Sequence, residues 1–190
     1  METLVITAIL PLLLTAVYLG FVLGMRYYTQ SQSLARIQQE AITSMDWMVK
    51  ELSAATVTAC QASPGVLWFP SASAPGASGG GYSVDPVSGL LQWQKWVCYL
   101  PDSTGKQLLR SEVAFNTALP LSQIAAALPL PGLSLFQAAS SQRVLSPDLE
   151  SFTARVNLSS VQLSLVLSVN AGTAQVTRFQ LDDEVHLINR

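Results

Sequence analysis

The feature that most restricts this chain is an uncharged run of 23 residues from Thr3 to Met25, TLVITAILPLLLTAVYLGFVLGM. As an α-helix at 1.5 Å per residue it is about 35 Å long, enough to cross a hydrocarbon core of about 30 Å with some tilt. Arg26, Tyr27 and Tyr28 follow at once, one basic and two aromatic side chains of the kind found where a helix leaves lipid. A cleaved secretory signal would have a basic start, an apolar core of roughly 7–15 residues and a small-residue cleavage site. Here the chain starts Met1-Glu2, the run is longer, and Gly24-Met25-Arg26-Tyr27-Tyr28 offers no such site. The segment is therefore expected to persist as a membrane span. Pro11 lies inside it and is read as a bend, since neighbouring helices or water can satisfy the carbonyl it frees. The positive-inside rule, applied to Arg26 alone, would keep that side in the cytoplasm, but a single charge decides orientation weakly.

Past the span, apolar residues recur at Leu34, Ile37, Ala41, Met45, Met48, Leu52 and Ala55, with Arg36, Gln38, Gln39, Glu40, Asp46, Lys50 and Glu51 between them. Spacings of three and four make one helical stripe. No Gly or Pro occurs between Met25 and Ala62, so the expectation is a single helix from about Thr3 to Val57, roughly 80 Å long. Its stripe should pack on the protein's own sheet rather than form a free coiled coil. The expected organisation is a transmembrane half over 1–25, an amphipathic half over 26–58, and a β-rich body over 59–190.

Only 12% of residues are charged and the mean hydropathy is +0.36, which the membrane run explains. Ten Lys and Arg against twelve Asp and Glu give a net charge of −2, so there is no basic field to hold nucleic acid by counterion release. One histidine and two cysteines cannot build the usual four-ligand zinc site. Neither a G-x-S-x-G elbow nor a G-x-x-x-x-G-K-[ST] phosphate loop is present. No catalytic residue, metal site, cofactor, small-molecule substrate or bound nucleic acid is expected. Asp182, Asp183, Glu184 and His186 form the one group that suggests a hard-metal site or an anchored hydrolase. Adjacent acids in a strand point in different directions, so a solvated charge cluster is the preferred reading.

The body reads as antiparallel β. The stretch SASAPGASGGG at 71–81 is a surface loop, with Val66-Leu67-Trp68-Phe69 before it and LLQWQKWVCYL from Leu90 to Leu100 after it. In the second run Leu91, Trp93, Val97 and Tyr99 share one face, on which Lys95 is the exception, while Gln92, Gln94, Trp96 and Cys98 share the other. Pro101-Asp102-Ser103-Thr104-Gly105 turns the chain into a partner strand over 106–115. A short helix is expected at Ser122 to Leu128. Strands follow over 152–158, 161–169 and 175–181, the last two joined through Asn170-Ala171-Gly172-Thr173. The fold class is α+β, one long helix laid on a small antiparallel sheet. Trp68, Trp93 and Trp96 are assigned to the core rather than to a binding platform. Cys60 and Cys98 are 38 positions apart; a bridge between them would contribute about 4 kcal/mol in the chain-entropy model, and two reduced buried thiols are the alternative.

Three stretches, in this order, make the chain resemble the type IV pilin and pseudopilin superfamily. Glu2-Thr3-Leu4-Val5 resembles the glutamate and apolar residues just inside the mature terminus of prepilins. Glu51-Leu52-Ser53-Ala54-Ala55 is similar to the Glu-Leu-x-x-Ala ending the helix in minor pseudopilins and minor pilins of the J and W types. Trp96-Val97-Cys98-Tyr99-Leu100, Leu108-Leu109-Arg110, the late strand pair and Asn189-Arg190 resemble the C-terminal half of that group.

The resemblance implies a pilin-like structural subunit, held in the bacterial inner membrane by one pass with its body in the periplasm. It would enter a type IV pilus, type II secretion or DNA-uptake filament through its apolar helix. The implied partners are other pilin or pseudopilin subunits, the inner-membrane assembly machinery and membrane lipid. Glu2 would attract the terminal amine of a neighbouring subunit; its alternative is an interfacial acid at a helix N-terminus. Prepilins carry a basic leader ending in Gly, which implies that Met1 is internal to a longer prepilin. A membrane-anchored periplasmic binding module, working through the tryptophans or the Gly/Ser-rich loop, is the rival reading.

Overall fold

The structure, a computed structural model, describes residues 2–56, 59–73, 82–120, 132–139, 141–170 and 176–187, with the side chains of 2–8, 116 and 117 left out. Helix α1 runs over Glu2–Ser53. Its residues are good helix formers without a Gly or Pro after Gly24, and Lys50 stands in the last turn, where a cation offsets the negative end of the helix dipole. It stops four residues before the expected Val57. Ala55 is buried all the same, in the turn that leaves the helix, where its N–H donates to the Leu52 carbonyl at 2.8 Å.

Among the described residues eight strands follow: β1 Gln61–Ser63, β2 Val66–Ser71, β3 Gln92–Pro101, β4 Leu108–Pro120, β5 Gln142–Ser146, β6 Leu149–Val156, β7 Ser160–Asn170 and β8 Val176–His186, with a short helix α2, Leu133–Ala138, between β4 and β5. They form two antiparallel sheets rather than the single sheet expected, in the orders β1-β2-β3-β4-β5 and β6-β7-β8. Pro147 and Asp148 separate β5 from β6, and the chain passes there from one sheet to the other. The sheets are tied there, with Leu149 N–H donating to the Lys106 carbonyl (2.8 Å) and Ser168 N–H to the Asp148 carbonyl (2.9 Å). The molecule is thus an α+β protein with one long N-terminal helix packed on antiparallel sheets.

Among the described residues two apolar clusters hold the body. The larger joins Ile37, Ala41, Met45, Met48, Leu52 and Ala55 to Leu67 and Phe69 of β2, Val97 and Tyr99 of β3, Leu149 and Phe152 of β6, and Val161, Leu163, Leu165 and Leu167 of β7, with Leu34 packed at its margin. On the far side of the five-stranded sheet, Trp93, Trp96, Cys98 and Leu100 pack with Val66 and with Phe136 of α2. Trp93 therefore lies with Trp96 and Cys98, not with Val97 and Tyr99 as simple alternation predicts. The pairing of β3 with β4 breaks there, passing from Trp93↔Leu119 to Lys95↔Ala114, so that four residues of β4 face one of β3, and regular alternation does not carry across such an irregularity.

Among the turns, Pro101–Leu108 was legible. The Asp102 carboxylate accepts from Thr104 Oγ1 (2.6 Å) and from the Lys106 and Gln107 N–H groups (2.8 and 3.0 Å), with Gly105 at φ 70°. The Thr104 hydroxyl, with the backbone donors, holds Asp102 down at about 2. The helix expected at 122–128, most of the 71–81 loop and the 171–173 turn lie outside the described residues, although β7 and β8 pair from Ser160↔His186 to Asn170↔Val176.

Candidate functional site: the bare half of the first helix

From Ile9 to Tyr28, no other described element covers α1, and its side chains are exposed apart from half-buried Val22. Leu12, Val17 and Tyr27 are about 70% exposed, whereas Ile37, Ala41, Met48 and Leu52 on the same helix are fully buried. These 20 residues span about 30 Å, the thickness of a bilayer's hydrocarbon core, and by length and composition the helix can cross a membrane. Its threonine hydroxyl is turned inward along the helix. Thr15 Oγ1 donates to the Pro11 carbonyl (2.7 Å), and past the apolar run Thr29 Oγ1 donates to Arg26 O and Ser33 Oγ to Thr29 O (2.9 Å each). An apolar medium requires such internal satisfaction. Pro11 sits within the continuous helix. The side chains of Glu2, Thr3, Leu4 and Val5 lie outside the described residues, so the pairing expected of Glu2 does too.

One detail was missed in the sequence. Ala16, Gly20 and Gly24 recur at four-residue steps and so share one face. A Cβ added at Gly20 or Gly24 would meet nothing within 4 Å, so the protein's own packing gives neither glycine a reason to be small. In a membrane helix this spacing lets a second backbone approach closely.

The helix changes environment at Arg36. Its guanidinium bonds the Asp148 carboxylate in the turn between the two sheets and stands 3.5 Å from Glu40. Glu40 is pushed up by burial, which outweighs the pull of Arg36. Farther along, Ser44 Oγ donates to the Leu145 carbonyl (3.0 Å), and the Arg143 guanidinium lies 4.7 Å over the Trp47 ring.

The helix ends on a buried charge cluster. Arg110 of β4 grips the Glu51 carboxylate with two nitrogens, Nη2 at 2.8 Å from Oε1 and Nε at 3.0 Å from Oε2, while Tyr99 Oη donates to the same carboxylate. Arg110 Nη1 also reaches Glu112 Oε2 (3.1 Å), which receives Lys95 Nζ at 2.7 Å. Exposure falls from 15% at the Glu51 side chain to 9% at Arg110, 8% at Glu112 and none at Lys95. Burial disfavours the Arg110 cation, but the hydrogen bonds and charge of Glu51, with Tyr99 and Glu112 adding, outweigh it and hold the proton more tightly than usual. The Tyr99 hydroxyl is pushed well up, first by burial and then by the Glu51 charge. One hint is legible in advance, a lysine in an apolar strand. Its partners were not readable because the register of β3 on β4, and the place where the helix end meets them, exist only in the fold.

Other candidates resolve differently. Cys60 packs in the larger cluster and Cys98 in the cluster across the sheet. They are separate buried thiols, not the disulfide considered from the sequence, because Cys98 follows Val97 by one residue and so points away from the helix side. Burial pushes both up to about 12. Trp93 and Trp96 are core residues and form no exposed platform. In β8, Asp182, Asp183, Glu184 and His186 are exposed; Glu184 accepts from Ser160 Oγ (2.6 Å) and Asp182 from Gln180 Nε2 (3.0 Å). The Ser160 hydroxyl lowers Glu184, and the Ser164 hydroxyl lowers Asp182. Among the described residues no three His, Cys, Asp or Glu side chains gather as a metal site. A scan against protein-family models, a search of curated proteins and a search of solved structures each find no match for the chain.

Proposed function

We propose that the chain is a minor pilin-like or pseudopilin-like structural subunit, stored in the bacterial inner membrane with its body in the periplasm and drawn from there into a filament of a secretion, pilus or DNA-uptake system. One observation carries the reading: a single continuous helix is bare and apolar over Ile9 to Met25 and satisfied by its own body from Ile37 to Leu52. Lipid covers the bare half in storage. Helices of neighbouring subunits cover it in a fibre, and the Ala16, Gly20 and Gly24 line suits that close approach. The resemblance of Glu2-Thr3-Leu4-Val5 and Glu51-Leu52-Ser53-Ala54-Ala55 to the pilin pattern points the same way. The chain performs no chemistry of its own in this account; work comes from the assembly machinery.

The test is photocrosslinking in cells from single probes at Val17 and Phe21, in the full chain and in Glu2→Ala. The expected result is adducts to other small membrane subunits that vanish in Glu2→Ala while membrane insertion persists. Adducts to lipid alone, identical in both chains, would instead indicate a solitary anchored module.

A further inference from the structure

Strand β8 ends the three-stranded sheet, with β7 on one side only. The two pair without a register shift from Ser160↔His186 to Asn170↔Val176, and just past β8 the Leu187 N–H donates to the Ser159 carbonyl (3.0 Å). Odd-numbered residues of β8 therefore turn their backbone groups to β7, whereas Arg178, Gln180, Asp182 and Glu184 turn theirs away. Of these outward groups only the Glu184 N–H has a partner among the described residues, the Asp183 carboxylate at 2.8 Å. The strand holds no Pro, Lys or bulge that would blunt it. Over 178–182 it is a template for another strand.

Side chains along this edge restrict what can pair with it. Arg178, Gln180, Asp182 and Glu184 are exposed on one face. Arg178 has Glu150 at 2.8 Å, but no Lys or Arg among the described residues stands within ion-pair distance of Asp182 or Glu184. A strand that sets Lys or Arg opposite those two is favoured, and one that sets acids there is opposed. A second copy of β8 does not fit. β6 leads from Asp148, beside Arg36, to residues 153–157, beside Ala62 and Ser63 past the helix end. β8 runs the same way as β6, away from the bare half of α1. An antiparallel copy would point its own bare half out of the shared membrane, and a parallel copy in register would set Asp182 and Glu184 against themselves. The other edge strands lie against the chain's own elements, since Ser44 of α1 bonds the Leu145 carbonyl of β5 and β1 lies beside β6.

We propose that the open edge of β8 takes an extended segment of a different polypeptide as an added antiparallel strand, with basic side chains opposite Asp182 and Glu184 and an acidic one opposite Arg178. The backbone groups of Arg178, Gln180 and Asp182 supply the binding, and the charges choose the partner and its register. Acids alone would be a solvated cluster; the unpaired backbone beside them makes the site. Such pairing does not depend on whether the chain joins a filament.

The experiment titrates the full chain in detergent micelles into a peptide labelled with a fluorophore at its N-terminus, Lys-Thr-Lys-Val-Gln-Val-Glu, and reads anisotropy. Laid antiparallel on β8, its lysines face Glu184 and Asp182 and its glutamate faces Arg178. This peptide should bind, and the charge-reversed Glu-Thr-Glu-Val-Gln-Val-Lys should bind at least about tenfold more weakly. Gln180→Pro removes an outward N–H and no bond to β7, so the body should keep its melting transition while binding falls at least about tenfold. Asp182→Lys/Glu184→Lys, at two exposed side chains, should reverse the preference between the peptides. In the parent chain the first peptide should slow hydrogen exchange at the Gln180 and Asp182 amides, a readout that needs no variant to fold. No binding up to about 1 mM, equal binding of both peptides, unchanged binding in folded Gln180→Pro, an unreversed preference in the folded double variant, or unslowed exchange at those amides overturns the proposal.

Discussion

The two halves of α1 are the same kind of secondary structure, joined without a break, yet they obey opposite rules. Over Ile9 to Met25 no side chain is charged and all but half-buried Val22 are exposed; over Leu34 to Ser53 one stripe is buried and the opposite face carries Arg36, Gln39, Asp46 and Lys50. A helix apolar all round is stable only where its surroundings are apolar, while a striped helix needs only one partner surface. The contrast teaches that the body's core is finished without the first half, whose apolar surface must be satisfied from outside the chain.

The widest contrast comes from placing the same charge in each half. Met48→Asp buries an unpaired carboxylate in the larger cluster and should prevent the body from folding. Leu14→Asp, on an exposed side chain, should leave the body's unfolding transition within about 0.5 kcal/mol while reducing retention in membranes. Denaturant unfolding and membrane fractionation read the two effects separately, and equal damage to the body from both would break the comparison. Next, Leu52→Ala should cost about 2–5 kcal/mol, as large-to-small core changes do, against less than about 0.5 kcal/mol for Leu19→Ala at a surface position. The smallest effect is expected at Glu40, where the halves meet. Its folded-state pKa is raised by burial, so its contribution is full below the ordinary value of 4.5 and is lost as pH rises above it. Glu40→Gln should remove that slope, leaving stability at neutral pH equal to or above the parent's in a pH series of melts.

Much of this was legible because periodicity and length report directly on surroundings. The stripe residues Ile37, Ala41, Met45, Met48, Leu52 and Ala55 could be named in advance, since a 3.6-residue repeat of apolar side chains has few other uses. The Asp102 turn was readable from Pro, Asp and Gly at fixed offsets. Trp93 was placed on the wrong face because a break in strand pairing leaves no signature in an alternating pattern. The division into two sheets was missed because strand patterns do not say which strands pair. The cysteines looked like a bridge because spacing carries no information about which side of a sheet a side chain faces.

The sequence by itself determined that the first 25 or so residues form a helix suited to lipid and that the next 30 present a single apolar stripe, since both follow from local order along the chain. Tertiary structure alone decided that Glu51, Tyr99, Arg110, Glu112 and Lys95 meet at the helix end, and that Cys60 and Cys98 do not meet at all. Pairing of buried charges and separation by a sheet are relations between distant segments. They exist only once the helix and both strands are in place, because only then is water removed from the charges and only then does the sheet have two sides.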